Sequence, residues 1–129
     1  MTKALNTILY VEDEPDIRTV AQLALETVGG FTVKLCGSGE EAVQAGPAFK
    51  PDLLLLDVMM PGMDGPTTLA ALRKDPSMKD TPVIFMTAKV QPSEIQQYRE
   101  LGALDVIAKP FNPMTLAEQV RSIWARAYG

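Results

Sequence analysis

Five short apolar runs alternate along the chain with segments whose apolar residues recur every three or four positions. The runs are residues 7–11, 32–36, 53–56, 83–86 and 106–108. Most are continuous rather than alternating, the pattern of strands buried on both faces. The segments between them carry helix signals. Glu14-Pro15-Asp16 places proline and an acid in a first turn, Ile17, Val20, Ala21, Ala24 and Val28 follow as one apolar face, and Gly29-Gly30 closes it. Ser38-Gly39-Glu40-Glu41 and Ser93-Glu94-Ile95-Gln96 read as capping boxes. Gly65-Pro66 opens a third helix, Gly102 closes a fourth, and Asn112-Pro113 opens the last, whose apolar face is Leu116, Val120, Ile123, Trp124 and Ala127.

Strict alternation of strand and helix predicts an α/β fold, a parallel five-stranded sheet doubly wound with helices on both faces. Right-handed crossovers then put every strand-to-helix loop on one edge of the sheet. Polar residues at the strand ends therefore converge. They are Glu12 and Asp13 after the first run, Asp57 after the third, Thr87 at the end of the fourth and Lys109 after the fifth. The second run ends in Cys36-Gly37 and brings no charged or hydroxyl group.

Composition narrows what these residues can do. The chain has 129 residues, 47% of them hydrophobic and 22% charged, which suits one globular domain with a sizeable core. The 12 basic residues are scattered against 16 acids, so no basic stripe offers nucleic acid a footing. Histidine is absent, which removes Ser-His and Cys-His catalysis, histidine metal sites and a phosphohistidine carrier role. The single cysteine, Cys36, reads as a small buried residue and fits a reducing cytoplasm. The N-terminal residues lack a signal-peptide pattern, and no apolar run is long enough to span a membrane. The expectation is one domain over residues 1–129 with no output domain.

Three carboxylates at one spot repel one another, and at neutral pH they raise one another's pKa or recruit a cation. Oxygen donors without histidine or cysteine suit Mg²⁺ or Mn²⁺. Lys109 is a point charge suited to a phosphoryl oxygen, and Thr87 offers a hydroxyl. These are the parts for phosphoryl transfer to a carboxylate, with Asp57 becoming an aspartyl phosphate. Taken singly, each residue has a plainer reading. Glu12, Asp13 and Glu14 suit a helix N-terminus, and Thr87 can bond its own backbone. Asp64 reads as a turn or helix cap, Met59, Met60 and Met63 as gap-filling residues, Trp124 and Tyr128 as packing on the last helix, and Tyr98 as an exposed partner contact.

Val11-Glu12-Asp13-Glu14-Pro15, Asp57-Val58-Met59-Met60-Pro61-Gly62-Met63-Asp64-Gly65, Met86-Thr87-Ala88 and Lys109-Pro110-Phe111 stand in order at the right strand ends. Together they resemble the response-regulator receiver domains of the CheY-like family over essentially the whole chain. The resemblance implies a flavodoxin-like (βα)5 fold with strand order 2-1-3-4-5. It implies Asp57 as phosphoacceptor and Asp13, Asp57 and the Met59 backbone carbonyl as Mg²⁺ ligands, with Glu12 acting through water. Thr87 would sense the phosphoryl group, Lys109 would pair with it, and the Lys109–Pro110 peptide would be cis. The donor would be a histidine kinase or a histidine phosphotransfer protein. A downstream protein would bind the face made by the fourth helix, fifth strand and fifth helix.

The sequence departs from the family pattern at Val106, where an aromatic is usual, and a valine cannot report by the same swing. At the rim, Met59 and Lys89 flank the phosphoryl position, and methionine cannot orient an attacking water, which implies slow self-dephosphorylation. Two other functions compete with a phosphorylation switch. An aspartyl-phosphate phosphohydrolase would need an Asp-x-Asp where the chain has Glu12-Asp13-Glu14. A constitutive scaffold with an impaired switch rests on Val106. The expectation is a phosphoacceptor that promotes its own phosphorylation and dephosphorylation, not a turnover enzyme.

Overall fold

The computed structural model describes residues 4–129. The strands are β1 (Thr7–Val11), β2 (Thr32–Cys36), β3 (Leu53–Asp57), β4 (Val83–Thr87) and β5 (Asp105–Ala108). The helices are α1 (Pro15–Gln22, continued as a π-helix over Leu23–Val28), α2 (Gly39–Phe49), α3 (Gly65–Leu72), α4 (Pro92–Glu100) and α5 (Leu116–Tyr128), with a 3₁₀ turn at Pro76–Met78. All five strands pair in parallel in the order β2-β1-β3-β4-β5. This is the predicted flavodoxin-like order.

Side chains alternate across the sheet, so it separates two cores. On one face Ile8, Tyr10, Leu53, Leu55, Ile84 and Met86 pack against α1 and α5. On the other, Leu9, Val11, Leu54, Leu56, Val83 and Phe85 meet α2, α3 and Tyr98 of α4. Every residue of β3 and β4 is buried, as a central strand requires, whereas β2 at the edge alternates between exposed and half-buried positions until its buried last residue, Cys36. The strands that hold Asp57 and Thr87 are therefore the most deeply fixed.

Several helix readings need correction. Val20 and Val28 are exposed, and Leu25 takes the inward place. For Val28 the reason is the π-helix: Gly29 N–H reaches back five residues to the Ala24 carbonyl, so the wider turn rotates the face; Val20 lies in the regular α-helix before it, where Ala21 is the buried residue. Ser93 does not cap α4, because Pro92 already stands in its first turn and Gln91 precedes it without a side-chain cap. Asn112 does not open α5 directly. Its side chain accepts from Met114 N–H, residues 113–115 form a turn, and the helix begins at Leu116. Ala127 is exposed, and Tyr128 instead packs its ring 4.6 Å from that of Trp124.

Other readings hold. Ser38 caps α2 by accepting from Glu41 N–H, although the Glu41 carboxylate takes Gly37 N–H rather than the Ser38 N–H of a full capping box, and Asp64 caps α3 by accepting from Thr67 N–H. Cys36 is buried and free, and burial pushes its thiol up to about 11. No described helix is long and apolar enough to cross a membrane. Tyr98 is half-buried against Phe85, ring centroids 5.2 Å apart, rather than an open contact.

Burial of β3 on both faces has a direct consequence. Leu54→Ala and Leu55→Ala, on opposite faces, should each lower unfolding free energy by about 2–5 kcal/mol in urea titrations. A loss well under 1 kcal/mol at either position would contradict two-sided burial of the strand.

Candidate functional site

The carboxyl end of the sheet collects the polar residues. β1 runs straight into Glu12 and Asp13, and Glu12 N–H donates to the Cys36 carbonyl of β2 at 3.1 Å, which extends the pairing one step beyond the strand. Asp57 is the last residue of β3 rather than the first beyond it, paired in register with Met86. Glu12, Asp13 and Asp57 each offer a carboxylate oxygen, and the three oxygens lie within 4.8 Å of one another. Glu12 is fully buried and Asp57 is 3% exposed, while Asp13 is half-exposed.

Lys109, one residue past β5, reaches into this cluster. Its Nζ lies 2.7 Å from Glu12 Oε1 and 3.1 Å from Asp57 Oδ2. The following Lys109–Pro110 peptide is cis. A buried carboxylate without such a partner would be strongly disfavoured. One ammonium cannot balance three acids, and the imbalance shows in Glu12. Burial and the Asp57 charge push its carboxyl up to about 7, against the opposing pull of the Lys109 hydrogen bond. Burial pulls the Lys109 ammonium down, but Glu12 and Asp57 outweigh that effect and hold it above its ordinary value.

The loop after Asp57 is folded tightly against the strand end. Gly65 N–H donates to the Val58 carbonyl at 2.9 Å. A Cβ on Gly65 would lie 2.7 Å from the Asp57 carbonyl oxygen and 3.0 Å from Val58 Cα. Glycine is needed there by close approach of two backbones, and it sets where α3 leaves the site.

The remaining predicted residues divide. Thr87 is buried at the end of β4 beside Asp57's strand, and its hydroxyl accepts from Lys89 N–H at 3.1 Å, the local bond of the plainer reading. Its own proton stays available to donate. Met59 is 67% exposed at the rim, so it fills no gap, whereas Met60 is buried. Lys89 is exposed. Val106 is half-buried, pairs with Phe85 and packs on the α4 side of the sheet.

Two features escaped the sequence reading. Arg18 Nη1 donates to the backbone carbonyls of Glu12 at 2.8 Å and of Asp13 at 3.0 Å. Its placement one turn past Pro15, five residues after Asp13, was the available signal. Tyr10 Oη is buried beneath the acids without a hydrogen-bond partner among the described residues, and burial followed by the charges of Glu12 and Asp57 raises its pKa.

Comparison with known proteins gives one family. Residues 8–121 match the model for the response regulator receiver domain. The alkaline phosphatase synthesis transcriptional regulatory protein PhoP of Bacillus subtilis is 38% identical over 120 residues, covering 93% of this chain and 49% of the relative. The transcriptional regulatory protein CseB of Streptomyces avermitilis is 36% identical over 119 residues, covering 92% and 49%. The chain thus spans about half the length of the curated relatives it matches. Among solved structures, the chemotaxis protein CheY4 of Vibrio cholerae superposes with a TM-score of 0.84 at 30% identity, covering 93% of this chain and 99% of that one. A putative response regulator from Chloroflexus aurantiacus gives 0.81 at 36% identity, covering 95% and 100%.

Burial of Glu12, with the Asp57 charge beside it, makes the metal-free site a source of instability. Glu12 binds its proton more tightly when folded, so its contribution favours the fold below about pH 4.5 and is lost as pH rises through about 7. Glu12→Gln should therefore raise unfolding free energy at pH 8 without divalent metal by about 1–2 kcal/mol and flatten the loss between pH 5 and 8. A Glu12→Gln protein less stable than wild type at pH 8 would show instead that the Lys109 pair outweighs the burial penalty.

Proposed function

The chain belongs to the response-regulator receiver family of two-component signal transduction, and on that premise we propose that Asp57 is the residue that takes the phosphoryl group. The observation that carries this reading is the Lys109 ammonium held between Glu12 and Asp57 against a three-carboxylate cluster at the sheet's carboxyl edge. A carboxylate oxygen of Asp57 attacks phosphorus, the donor's P–N bond breaks, and the donor imidazole leaves with the bond's electron pair. The product is an acyl phosphate. Lys109 neutralises charge on the arriving phosphoryl oxygens, and the Thr87 hydroxyl donates to one of them.

The donor set is all oxygen, two of its members are buried, and their charge exceeds what Lys109 balances, so it fits a hard divalent cation. Asp13, Asp57 and the Met59 backbone carbonyl would hold Mg²⁺, or Mn²⁺ in its place, with Glu12 acting through water. Such an ion supplies charge neutralisation between the acceptor and the phosphoryl oxygens.

Response regulators pair with histidine kinases, and a kinase or a histidine phosphotransfer protein is the donor in this reading. The protein is a switch that promotes its own phosphorylation and dephosphorylation and does not turn over a separate substrate. Its free buried cysteine suits the cytoplasm. Output runs through protein contacts at the α4–β5–α5 face, where a groove of about 630 Å³ lies beside Val106, Ile95 and Ile123. The phosphohydrolase reading lacks its second aspartate, since Glu12-Asp13-Glu14 occupies that place.

Intact mass after incubation with acetyl phosphate tests the acceptor. One phosphoryl gain is expected, dependent on Mg²⁺ and lost in Asp57→Asn; a gain that survives Asp57→Asn would move the acceptor elsewhere. The exposed thioether of Met59 cannot orient water, so Met59→Asn should shorten the phosphoryl half-life severalfold. A longer half-life in that variant would sink the assignment of Met59 as the cause of slow hydrolysis.

A further inference from the structure

The backbone that carries Glu12 and Asp13 is pinned from two sides. Glu12 N–H is held by the Cys36 carbonyl. The carbonyls of Glu12 and Asp13 are both held by Arg18 Nη1, at 2.8 and 3.0 Å. Hydrogen bonds from a charged donor are roughly twice as strong as neutral ones. Among the described residues, no donor bonds the Asp13 carboxylate, so its aim depends on the peptide planes that Arg18 fixes.

The end of β2 is shaped around this guanidinium. A Cβ at Gly37 would lie 3.0 Å from Arg18 Nη1 and 3.4 Å from Cζ. The Gly37 backbone is not in the left-handed region, so its conformation does not demand glycine. Glycine serves there as room for Arg18. Gly37 N–H donates in turn to Glu41 Oε1 at 2.9 Å, which fixes the loop in that place.

We propose that Arg18 is a positioning residue for the divalent-metal site, presetting the Glu12 and Asp13 carboxylates through their carbonyls, with Gly37 as the socket that admits its side chain. The inference rests on reading the acidic cluster as a Mg²⁺ site. Partners one layer behind metal ligands typically change affinity by about 10–100-fold, because an unfixed ligand must be ordered on binding.

The test uses Arg18→Met, Arg18→Lys and Gly37→Ala in the whole chain, with folding checked by urea titration. Mg²⁺ affinity is read by calorimetry, and amide hydrogen exchange at Asp13 and Glu14 is read without metal. Arg18→Met should weaken Mg²⁺ about tenfold and speed both amides. It should raise the Mg²⁺ concentration for half-maximal phosphorylation by acetyl phosphate by the same factor, leaving the maximal rate unchanged. Arg18→Lys should recover most of the affinity. Gly37→Ala should weaken Mg²⁺ in the wild-type background and add nothing to Arg18→Met, as two changes in one contact do. A folded Arg18→Met protein with wild-type affinity and exchange would overturn the proposal, and so would a Gly37→Ala loss that adds in full to that of Arg18→Met. Should Arg18→Met fail to fold, Gly37→Ala and Arg18→Lys decide by the same readouts. A wild-type chain that binds no Mg²⁺ would instead remove the metal reading itself, and the metal-free exchange would separate that failure from a failure of Arg18.

Discussion

One ammonium between two buried carboxylates ties three strand ends of this sheet together. Lys109 follows β5, at one edge, and reaches Glu12 beyond β1 and Asp57 at the end of β3. Three strands far apart in sequence must end at matching heights for that contact to exist. Parallel pairing in register supplies the match, and right-handed crossovers put all the ends on one side. The contact leaves a surplus of negative charge, with Glu12 raised towards neutrality, and a site in that condition favours a ligand that brings positive charge.

The fold divides between what holds this site and what can move in answer to it. β1, β3 and β4 are buried on both faces, and the loop after Asp57 is packed so closely that Gly65 cannot carry a side chain without displacing backbone. α4 is the contrast, with no buried residue: its inward side chains, Ile95 and Tyr98, are only half-buried, the latter on Phe85. Its N-terminus follows Thr87 by five residues. Arg99 of α4 and Arg126 of α5 both pair with Asp105 at 3.0 and 3.2 Å, but these arginines are half-exposed or more, and such pairs hold weakly. A helix held in this way is the element whose population a change at the Thr87 strand end shifts most readily.

Much of this was legible in the chain. Leu53 to Leu56 read as a doubly buried strand, which placed the carboxylate directly after it at the carboxyl edge of the sheet. The order of Glu12-Asp13, Asp57, Thr87 and Lys109 across successive strand ends then predicted one cluster. What stayed hidden depends on geometry that spacing does not carry. Val28 falls on the predicted face of an α-helix and leaves it only because hydrogen bonds lengthen to a π-helix after Gln22. Asn112-Pro113 has the signature of a helix start, yet the asparagine side chain closes a separate turn first. Gly37 looked like an empty strand end because its value lies in the side chain it makes room for, Arg18, on the helix that follows a different strand.

Asp57 as the proposed seat of the phosphoryl group is open to a direct chemical test. Borohydride reduction of the phosphorylated chain converts an acyl phosphate to an alcohol, and peptide mass mapping locates the residue changed. Homoserine is expected at position 57 and at no other aspartate. Reduction at Asp13 or at Glu12, or a phosphoryl group that resists borohydride, would contradict that assignment.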